Sequence, residues 1–476
     1  MQQLSGLDAS FLYGETPTTP MHVGGLQIYD PSTAPGGALS FDQILSYIER
    51  HLPLVRTFRE KLVRVPLNLD HPYWVDDPDF DLEFHVREMA LPSPGNWRQL
   101  CVQVDRLMGR ALDLTRPLWE IYVIRGVDRV PGVPEGSFAL MTKVHHAAID
   151  GVSGMEMMSV LNKLDPTDEP PLVEGEWRGE PDPDPMQLLA RAAIASAARP
   201  MHFARVFGRT MPAVGQVADR IRQRQLATPP LPGTMPRTRF NGSVTAHRVF
   251  DAVRFPFGAF AGIRRAVPGA TVNDVVLAIV GGALRRFLKA EGELPDGSLV
   301  AMAPISIRTG DQAGTQGNQV AMMLVSLATD EVKPLDRLAA IQASTANSKE
   351  ITQAIGARTL ADYSQFIPAA VAGLASRAYT RSGLANRSNP IYTTTVTNVP
   401  GPQEPLYFCG AELVAYWGLG PIVDGMGLIH PVLSYNGHLS ISFTSCPEML
   451  PDPPAYAACL KASFDELVKA ARKAAA

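Results

Sequence analysis

A proline- and acid-rich segment divides this chain and limits what it can fold into. Residues 165–185 read DPTDEPPLVEGEWRGEPDPDP, a composition typical of a linker rather than of a core strand or helix. Because 476 residues are too many for one ordinary hydrophobic core, we expect a domain on either side. We assign residues 1–180 to an N-terminal subdomain, 181–235 to an interdomain helical linker and 236–476 to a C-terminal subdomain.

Both halves alternate strand-like and helix-like segments. Apolar residues recur at helical spacing in some segments, and β-branched and aromatic runs between Pro/Gly turns predict strands in others. The expected helices cover 41–52, 97–112, 186–226, 272–290 and 334–355, and the expected strands cover 22–29, 117–126, 137–146, 244–250, 299–307, 391–399, 412–417 and 438–445. This mixed order predicts an α/β sandwich architecture.

Composition excludes several classes of protein. A net charge of −4 provides no global basic field to attract nucleic acid. The four cysteines show no CxxC spacing, which argues against a zinc site and a disulfide framework and favours a reducing cytoplasm. The first residues lack the pattern of a signal peptide, and no uncharged apolar stretch of 18 residues predicts a spanning helix. We therefore expect a globular cytoplasmic protein.

The most informative polar residues stand at the end of the strand predicted over 137–146. The sequence MTKVHHAAIDG contains His145 and His146, followed by Asp150 and Gly151. Successive side chains of a strand point to opposite faces, so we expect one histidine to face a cleft and the other to be buried and hydrogen-bonded. An imidazole with a pKa near 6.5 suits a general base at neutral pH. Gly151 permits a bend, which Asp150 can brace by pairing with an arginine elsewhere.

The residues alone leave three other interpretations open. A metal site would have to use two diverging histidines, and no HxH or HExxH cluster accompanies them. A serine hydrolase needs a GxSxG elbow, and GVSGM around Ser153 lacks the final glycine. The third interpretation is a histidine pair with a purely structural role.

The segment HHAAIDG matches the HHxxxDG motif of the CoA-dependent acyltransferase superfamily, which includes chloramphenicol acetyltransferases and peptide-synthetase condensation domains. More specifically, the chain resembles the bacterial wax ester synthase/acyl-CoA:diacylglycerol acyltransferase family. The similar segments are LDASFLYGETPTTPMHVGGLQIYD, RPLWEIYVIRG, TVNDVVLAIVGGALRRFL, PISIRT, TNVPGP and LSYNGHLSISFTSCPEMLPD, which extend nearly from end to end. The departures are mild: Thr397 precedes NVPGP where serine is common, and the interdomain segment is idiosyncratic.

The resemblance implies two chloramphenicol-acetyltransferase-like α/β sandwich domains with the active site in a tunnel between them. It implies that His146 is the catalytic base, which takes the proton of a substrate hydroxyl as the oxygen attacks the acyl-CoA thioester. His145 is then the buried neighbour and Asp150 the brace of the loop. Direct transfer of this kind needs no acyl-enzyme.

Three further residues are candidates for the site. TVNDVVLA at 271–278 has the capping-box pattern, and the resemblance places Asn273 beside the histidine loop as an oxyanion or substrate ligand. Arg308 follows an apolar strand and, by similarity to condensation domains, is the candidate partner of Asp150. Asn398, in TNVPGP, is a candidate substrate-binding residue together with Gly151. Each also has a plainer interpretation, as a helix-start residue, a solvated strand end and a strand-to-turn residue respectively.

Other polar and aromatic residues are expected to be structural. Trp119 and Glu120, in the PLWE segment, should pack and hydrogen-bond the sheet next to the histidine strand. His430 and His438 lie in apolar strand-like stretches and are expected to be core or edge histidines.

The implied activity is O-acyl transfer from long-chain acyl-CoA to diacylglycerol, to a long-chain alcohol, or to both. Acyl-CoA is then a co-substrate, and neither a further cofactor nor a metal is expected. The alternative is an acyltransferase of the same fold that acts on a carrier-bound or polyketide-type hydroxyl. A catalytically silent lipid-binding relative is disfavoured because His146, Asp150 and Gly151 are all present.

The proposed acceptors and product partition into lipid, so we expect peripheral association with the inner membrane or with lipid inclusions. The candidate contact is residues 186–225, which carry seven arginines against the single acid Asp219. Their apolar residues would form a lipid-facing stripe between arginines that reach toward headgroups. The alternative is an ordinary interdomain helix packed on the body of the protein.

Overall fold

Two six-stranded β-sheets organise the chain. The computed structural model describes residues 1–148, 160–168, 179, 181–229, 233–306, 320–355, 363, 366 and 369–475. The strands of the first sheet are β2 (His22–Asp30), β5 (Val86–Ala90), β6 (Trp119–Arg125), β7 (Phe138–His145), β12 (Tyr407–Phe408) and β13 (Ala411–Leu419). Their spatial order is β12-β13-β2-β7-β6-β5, and all neighbours are antiparallel except the parallel pair β5 and β6.

The second sheet is built from the later part of the chain. Its strands are β8 (Val249–Pro256), β9 (Val300–Ser306), β10 (Val320–Ser326), β11 (Thr394–Pro400), β14 (Leu428–Tyr435) and β15 (His438–Ser445). Their order is β10-β9-β11-β14-β15-β8, with β11 parallel to both β9 and β14. A small third sheet consists of β1 (Gln2–Gln3), β3 (Glu60–Val63) and β4 (Tyr73–Asp76).

Helices cover these sheets. The described helices are α1 (Gly6–Gly14), α2 (Phe41–His51), α3 (Leu82–His85), α4 (Trp97–Met108), α5 (Pro185–Arg222), α6 (Gly258–Ala266), α7 (Val272–Ala290), α8 (Pro334–Ile355), α9 (Ala369–Ser382) and α10 (Pro453–Ala475). Residues 149–159 lie outside the described residues.

Local sequence explains where α7 begins. The predicted capping box is confirmed: the Asp274 N–H donates to the Thr271 hydroxyl at 3.2 Å, and the Thr271 N–H donates to the Asp274 carboxylate at 2.8 Å. The apolar residues that follow bury almost the whole helix in the core of the second sheet. Gly282 allows close packing against α10, because a Cβ at this position would lie 2.1 Å from the Ser463 hydroxyl.

Strand β7 is buried on both faces, and five of its eight residues are apolar. Phe138, Leu140 and Val144 pack in one core cluster together with α2. Ala139 and Met141 belong to another cluster, shared with α4. Because side chains alternate along a strand, Lys143 and His145 lie on the α4 face. These two polar side chains are therefore buried.

Two hydrogen bonds connect the first half of the chain to β8 and the residues just before it. The Trp97 indole N–H, at the start of α4, donates to the Asp251 carboxylate at 2.7 Å. The buried Arg248 guanidinium donates to the Thr18 carbonyl at 2.8 Å. Both contacts hold β8 against elements that surround the histidine strand.

Strands β12 and β13 lie in the first sheet although their residues belong to the predicted C-terminal subdomain. β13 pairs with β2 from Glu412–Asp30 to Leu419–Gly24. The polypeptide then returns to the second sheet with β14. The boundaries at 180 and 235 stay predictions, and the strand pairing shows that residues 407–419 contribute two strands to the first sheet.

Helix α5 corresponds to the long helix predicted over 186–226 and contains Pro200 and Pro212 in its interior. The proposed lipid-facing stripe is wrong at Leu188, which is buried in a cluster with Val65, Tyr73 and Val75. In the described part of the chain, no helix combines the length and the apolar character needed to cross a membrane.

Candidate active site

His145 and His146 lie at the transition from strand to turn. β7 ends at His145, and His146 begins a short 3₁₀ turn, His146–Ala148, rather than continuing the strand. The His145 N–H donates to the Leu118 carbonyl at 2.9 Å, and the His146 N–H donates to the Met21 carbonyl at 2.8 Å. His145 is fully buried, as predicted, whereas His146 is partly exposed. The two histidines differ in burial because the chain turns at His146, as well as because side chains alternate along β7.

The hydrogen bonds of His145 define its tautomer. The Ala147 N–H donates to His145 Nδ1 at 3.0 Å, so Nδ1 carries a lone pair rather than a proton. The proton of the neutral ring is therefore assigned to Nε2. That atom faces the Glu15 carboxylate, with Nε2 and Oε2 3.5 Å apart. His145 thus connects the carboxylate of Glu15 to the turn that carries His146.

Glu15 lies between two imidazoles. Its other carboxylate oxygen is 3.7 Å from His22 Nε2, and His22 is directly opposite His145 in the pairing of β2 with β7. The Leu112 N–H donates to His22 Nε2 at 3.3 Å, so the proton of neutral His22 is assigned to Nδ1. Burial lowers the pKa of His22 well below its ordinary value, and the nearby Lys143 charge adds to the effect. His22 is therefore neutral at physiological pH.

Sequence reasoning did not assign roles to Glu15 and His22. Both stand in GETPTTPMHVGG, within a segment that carried the family resemblance. Their position beside His145 depends on the register between β2 and β7, which the sequence does not display. The one sequence signal for this contact was Glu15, a carboxylate that precedes His22 at the start of a predicted strand.

His146 is held by its backbone and by ring stacking. Its imidazole stacks on the Phe11 ring, with centroids 3.7 Å apart and an interplanar angle of 13°. Nδ1 is buried and has no hydrogen-bond partner among the described residues. Burial lowers the pKa of His146 to about 4. The ring is accordingly neutral at neutral pH, and its base form is available to accept a proton.

A buried ion pair lies on the same sheet face as His145. Lys143 Nζ is 3.2 Å from Glu120 Oε2 and also donates to the Leu107 carbonyl at 3.2 Å. The Tyr122 hydroxyl donates to the same carboxylate oxygen at 2.7 Å. Burial lowers the pKa of Lys143, and the attraction of Glu120 opposes that shift. Glu120 has the structural hydrogen-bonding role predicted for it.

The other residues predicted to be structural have satisfied surroundings. The buried Trp119 indole N–H donates to the Phe58 carbonyl at 3.0 Å. His430 is buried between the hydroxyls of Thr394 and Tyr456, at 2.9 and 2.8 Å. His438 is exposed at the start of β15. The expectation of a core histidine is confirmed for His430, whereas His438 lies at the exposed end of an interior strand.

The remaining predicted site residues are only partly described. Asp150, Gly151 and Arg308 lie outside the described residues. Asn273 is half-buried in the first turn of α7, and Asn398 is half-buried in β11 opposite Val432. Within the described ranges, no hydrogen bond joins either asparagine to His146.

The described residues also bear on metal binding. In those parts of the chain, no group of three or more histidine, cysteine, aspartate or glutamate side chains is arranged to hold a metal ion. The contacts of His145, His22 and Glu15 are instead with one another and with backbone N–H groups.

Comparisons with known proteins identify the family. Residues 4–276 match the wax ester synthase/diacylglycerol acyltransferase catalytic domain, and residues 316–468 match the C-terminal domain of the same family. Two Mycobacterium tuberculosis proteins named as candidate diacylglycerol O-acyltransferases are 36% and 34% identical to this chain. The alignments cover 95% and 98% of this chain and 87% and 99% of theirs.

Solved structures agree with this assignment. The wax ester synthase/diacylglycerol acyltransferase of Marinobacter aquaeolei has a TM-score of 0.68 and 26% identity, over 99% of this chain and 100% of that one. The first condensation domain of the calcium-dependent antibiotic synthetase, 15% identical with a TM-score of 0.57 over 100% and 97% of the two chains, shares the fold alone. The predicted two-domain α/β fold is confirmed, and the chain is an acyltransferase of the wax ester synthase/diacylglycerol acyltransferase family.

Proposed function

We propose that this acyltransferase moves a long-chain acyl group from acyl-CoA to the hydroxyl of diacylglycerol, of a long-chain alcohol, or of both, with His146 as general base. The observation that carries the proposal is the neutral, part-exposed His146 ring, fixed by Phe11 stacking and by its backbone bond to Met21. The names of the similar proteins support the choice of acceptors.

The reaction requires one proton transfer in each direction. The His146 imidazole accepts the hydroxyl proton as the oxygen forms a bond to the thioester carbonyl carbon. The carbon–sulfur bond then breaks, and the departing CoA thiolate takes the proton, which leaves an ester, free CoA and neutral His146. Burial of the His146 ring disfavours a lasting imidazolium, which suits a base that must return its proton within the same turnover.

The residues without described contacts keep their predicted roles in this proposal. Asn273, near the N-terminus of α7, would bind the oxyanion of the thioester carbonyl, where free N–H groups and the helix dipole favour negative charge. Asp150 would brace the histidine loop by pairing with Arg308. Gly151 and Asn398 would lie beside the bound substrates.

The proposed setting is the cytoplasmic surface of the inner membrane or of a lipid inclusion. Diacylglycerol, long-chain alcohols and their esters all partition into lipid because transfer of each methylene out of water is favourable. An enzyme that uses them must meet a lipid surface at least transiently.

Radiolabelled oleoyl-CoA distinguishes the possible acceptors. Purified protein is incubated with dioleoylglycerol, hexadecanol or a carrier-bound hydroxy-acyl thioester, and the labelled products are separated by thin-layer chromatography. We expect labelled triacylglycerol, wax ester or both. Label transfer only to the carrier-bound acceptor would instead support the same-fold alternative, and this would contradict the proposed acceptors.

Glu15 offers a test of how the histidine turn is positioned. Glu15→Leu is expected to lower kcat by roughly tenfold to a hundredfold, because the turn next to His145 loses its buried carboxylate and the base shifts. Glu15→Gln keeps an amide oxygen that can face His145 Nε2–H and is expected to retain most of the rate. The measurement is kcat with oleoyl-CoA, alongside Glu49→Leu, which changes an exposed glutamate on α2.

Two outcomes would contradict this positioning role. Full activity of Glu15→Leu would show that the turn does not depend on Glu15. Equal losses in both Glu15 variants would show that the negative charge, rather than an acceptor for the His145 N–H, is what matters.

A further inference from the structure

A strained and exposed leucine stands on the surface between β3 and β4. Leu67 has φ 58° and ψ 12°, in the left-handed region that leucine rarely adopts, and is 82% exposed. Leu69, at the end of the same turn, is also exposed. Asparagine or glycine would suit this backbone better, and no burial of the Leu67 side chain compensates for the strain. Backbone strain that is not offset within the folded protein indicates that the strained residue has a function, such as contact with a binding partner.

Two helices adjoin this turn and extend its apolar surface. The turn Pro66–Asn68 contacts both α5 and α9. Next to the turn, Arg199 of α5 donates to the buried Asp70 carboxylate at 2.5 Å, which fixes α5 at this place. Seven of the exposed apolar side chains on and beside these three elements are here called the leucine-turn surface: Leu67, Leu69, Met201, Phe203, Phe207, Val371 and Leu374.

Two apolar side chains on these helices are exposed over most of their surface. Met201 is 69% exposed and Leu374 is 70% exposed. The Phe203 ring lies 5.4 Å from that of Phe366, three residues before α9, and the leucine turn contacts both helices. Large exposed apolar side chains grouped around one turn are characteristic of an interaction surface.

The charges around the leucine-turn surface are positive. Arg205 on α5 and Arg377 and Arg381 on α9 are exposed. The segment Ala369–Ser382 contains no acid, and the single acid of α5, Asp219, is bonded to Arg222 near the far end of the helix. Apolar side chains interspersed with arginines fit an anionic lipid surface, where the chains enter the acyl region and the guanidinium groups meet phosphates.

The leucine-turn surface lies close to the candidate base. α9 packs against α1, and α1 contacts the turn that carries His146 and supplies the stacking Phe11. A single helix therefore separates this surface from the site where a lipid hydroxyl would react.

We propose that the leucine-turn surface docks the protein reversibly onto an anionic lipid bilayer. The inference deepens the proposed function, since it rests on acceptors that reside in lipid. Not every arginine near this surface can test membrane binding. Arg199 is occupied by its ion pair with the buried Asp70, so its replacement would disturb the fold rather than the docking.

Vesicle flotation tests the proposal with phosphatidylcholine vesicles that either contain or lack phosphatidylglycerol. The apolar variant is Leu67→Asn with Leu374→Ser, and the charge variant is Arg205→Glu with Arg377→Glu. The matched controls change exposed residues elsewhere: Leu164→Asn with Val332→Asn, and Arg472→Glu with Lys473→Glu.

Wild-type protein and both controls are expected to float with the anionic vesicles. Each test variant should bind at least about tenfold more weakly. The charge variant should bind anionic and neutral vesicles alike. Failure of wild-type protein to float, or unchanged binding of both test variants, would overturn the proposal and leave a protein partner as the occupant of this surface.

Two further measurements separate docking from catalysis and from folding. Activity toward detergent-dispersed dioleoylglycerol should stay within about twofold of wild type in every variant, because these side chains are exposed. Inactivity of the wild-type protein in that assay would refute the proposed function, while flotation would still decide the docking. Leu67→Asn should melt at or above the wild-type temperature, since asparagine tolerates the left-handed region; a clearly lower melting temperature would show that the leucine stabilises the fold and would contradict the argument from strain.

Discussion

Replacing His146 with alanine is expected to lower kcat by about 10²–10⁴-fold, the usual contribution of a general base. The protein should stay folded, because the change removes a part-exposed ring and its stacking contact with Phe11 but leaves the backbone bond to Met21. The measurement is the initial rate with oleoyl-CoA and saturating acceptor, together with thermal melting. His438→Ala is the matched control, since that ring is exposed and away from the histidine turn.

The pH profile of the wild-type enzyme accompanies this variant. Burial lowers the pKa of His146 to about 4, so the base form already predominates throughout the range in which an ordinary histidine titrates. We expect kcat/KM to stay level as pH falls through about 6.5 and to decline only nearer the lowered pKa. Circular dichroism at each pH excludes unfolding. A folded His146→Ala protein with more than about a tenth of the wild-type rate would rule out His146 as the base.

Replacing Glu120 with alanine is expected to destabilise the protein by about 3–5 kcal/mol, the cost of leaving one partner of a buried ion pair alone. Lys143 is fully buried, and Glu120 provides its only described carboxylate partner, so the variant leaves an ammonium group that must lose its proton or find water. The measurement is the unfolding midpoint in urea, followed by tryptophan fluorescence, because the buried Trp119 is the neighbouring residue.

Glu88→Ala is the matched control for this loss. Glu88 pairs with Arg125 at 2.8 Å on adjacent strands of the same sheet, but both side chains are substantially exposed. Such a pair contributes about 0–1 kcal/mol. Equal shifts in the two variants would contradict the burial argument. A double change, Glu120→Gln with Lys143→Met, should recover part of the loss because it removes the uncompensated charge.

The elements that sequence alone predicted correctly have local causes. β7 was predicted from an apolar run bounded by turn residues, and α7 from the Thr271 and Asp274 capping box followed by apolar residues. Strand alternation predicted that one of the two histidines is buried, and the family resemblance identified it as His145. Each inference used residues within a few positions of one another, where backbone geometry fixes which side chains are neighbours.

The features that were missed arise from pairing between distant segments. His22 meets His145 because β2 and β7 are antiparallel in one particular register, and Glu15 reaches both only through the path of the chain after α1. The turn at His146 was also missed, because its bond to the Met21 carbonyl comes from a distant segment, just before β2. Periodicity within one segment does not indicate contacts between distant segments. The family resemblance identified the activity, but it did not indicate that Glu15 and His22 lie beside His145.

The place of β13 in the first sheet has a consequence for biosynthesis. As the nascent chain leaves the ribosome, β2, β7, β6 and β5 emerge early, but the partner of β2 on its other side is not available until Leu419 has been made. Until then the outer edge of β2 presents unpaired N–H and carbonyl groups, which is the kind of edge that recruits other chains. The first sheet is therefore completed only after most of the polypeptide has been synthesised, and until then this edge of β2 is open to pairing with other chains.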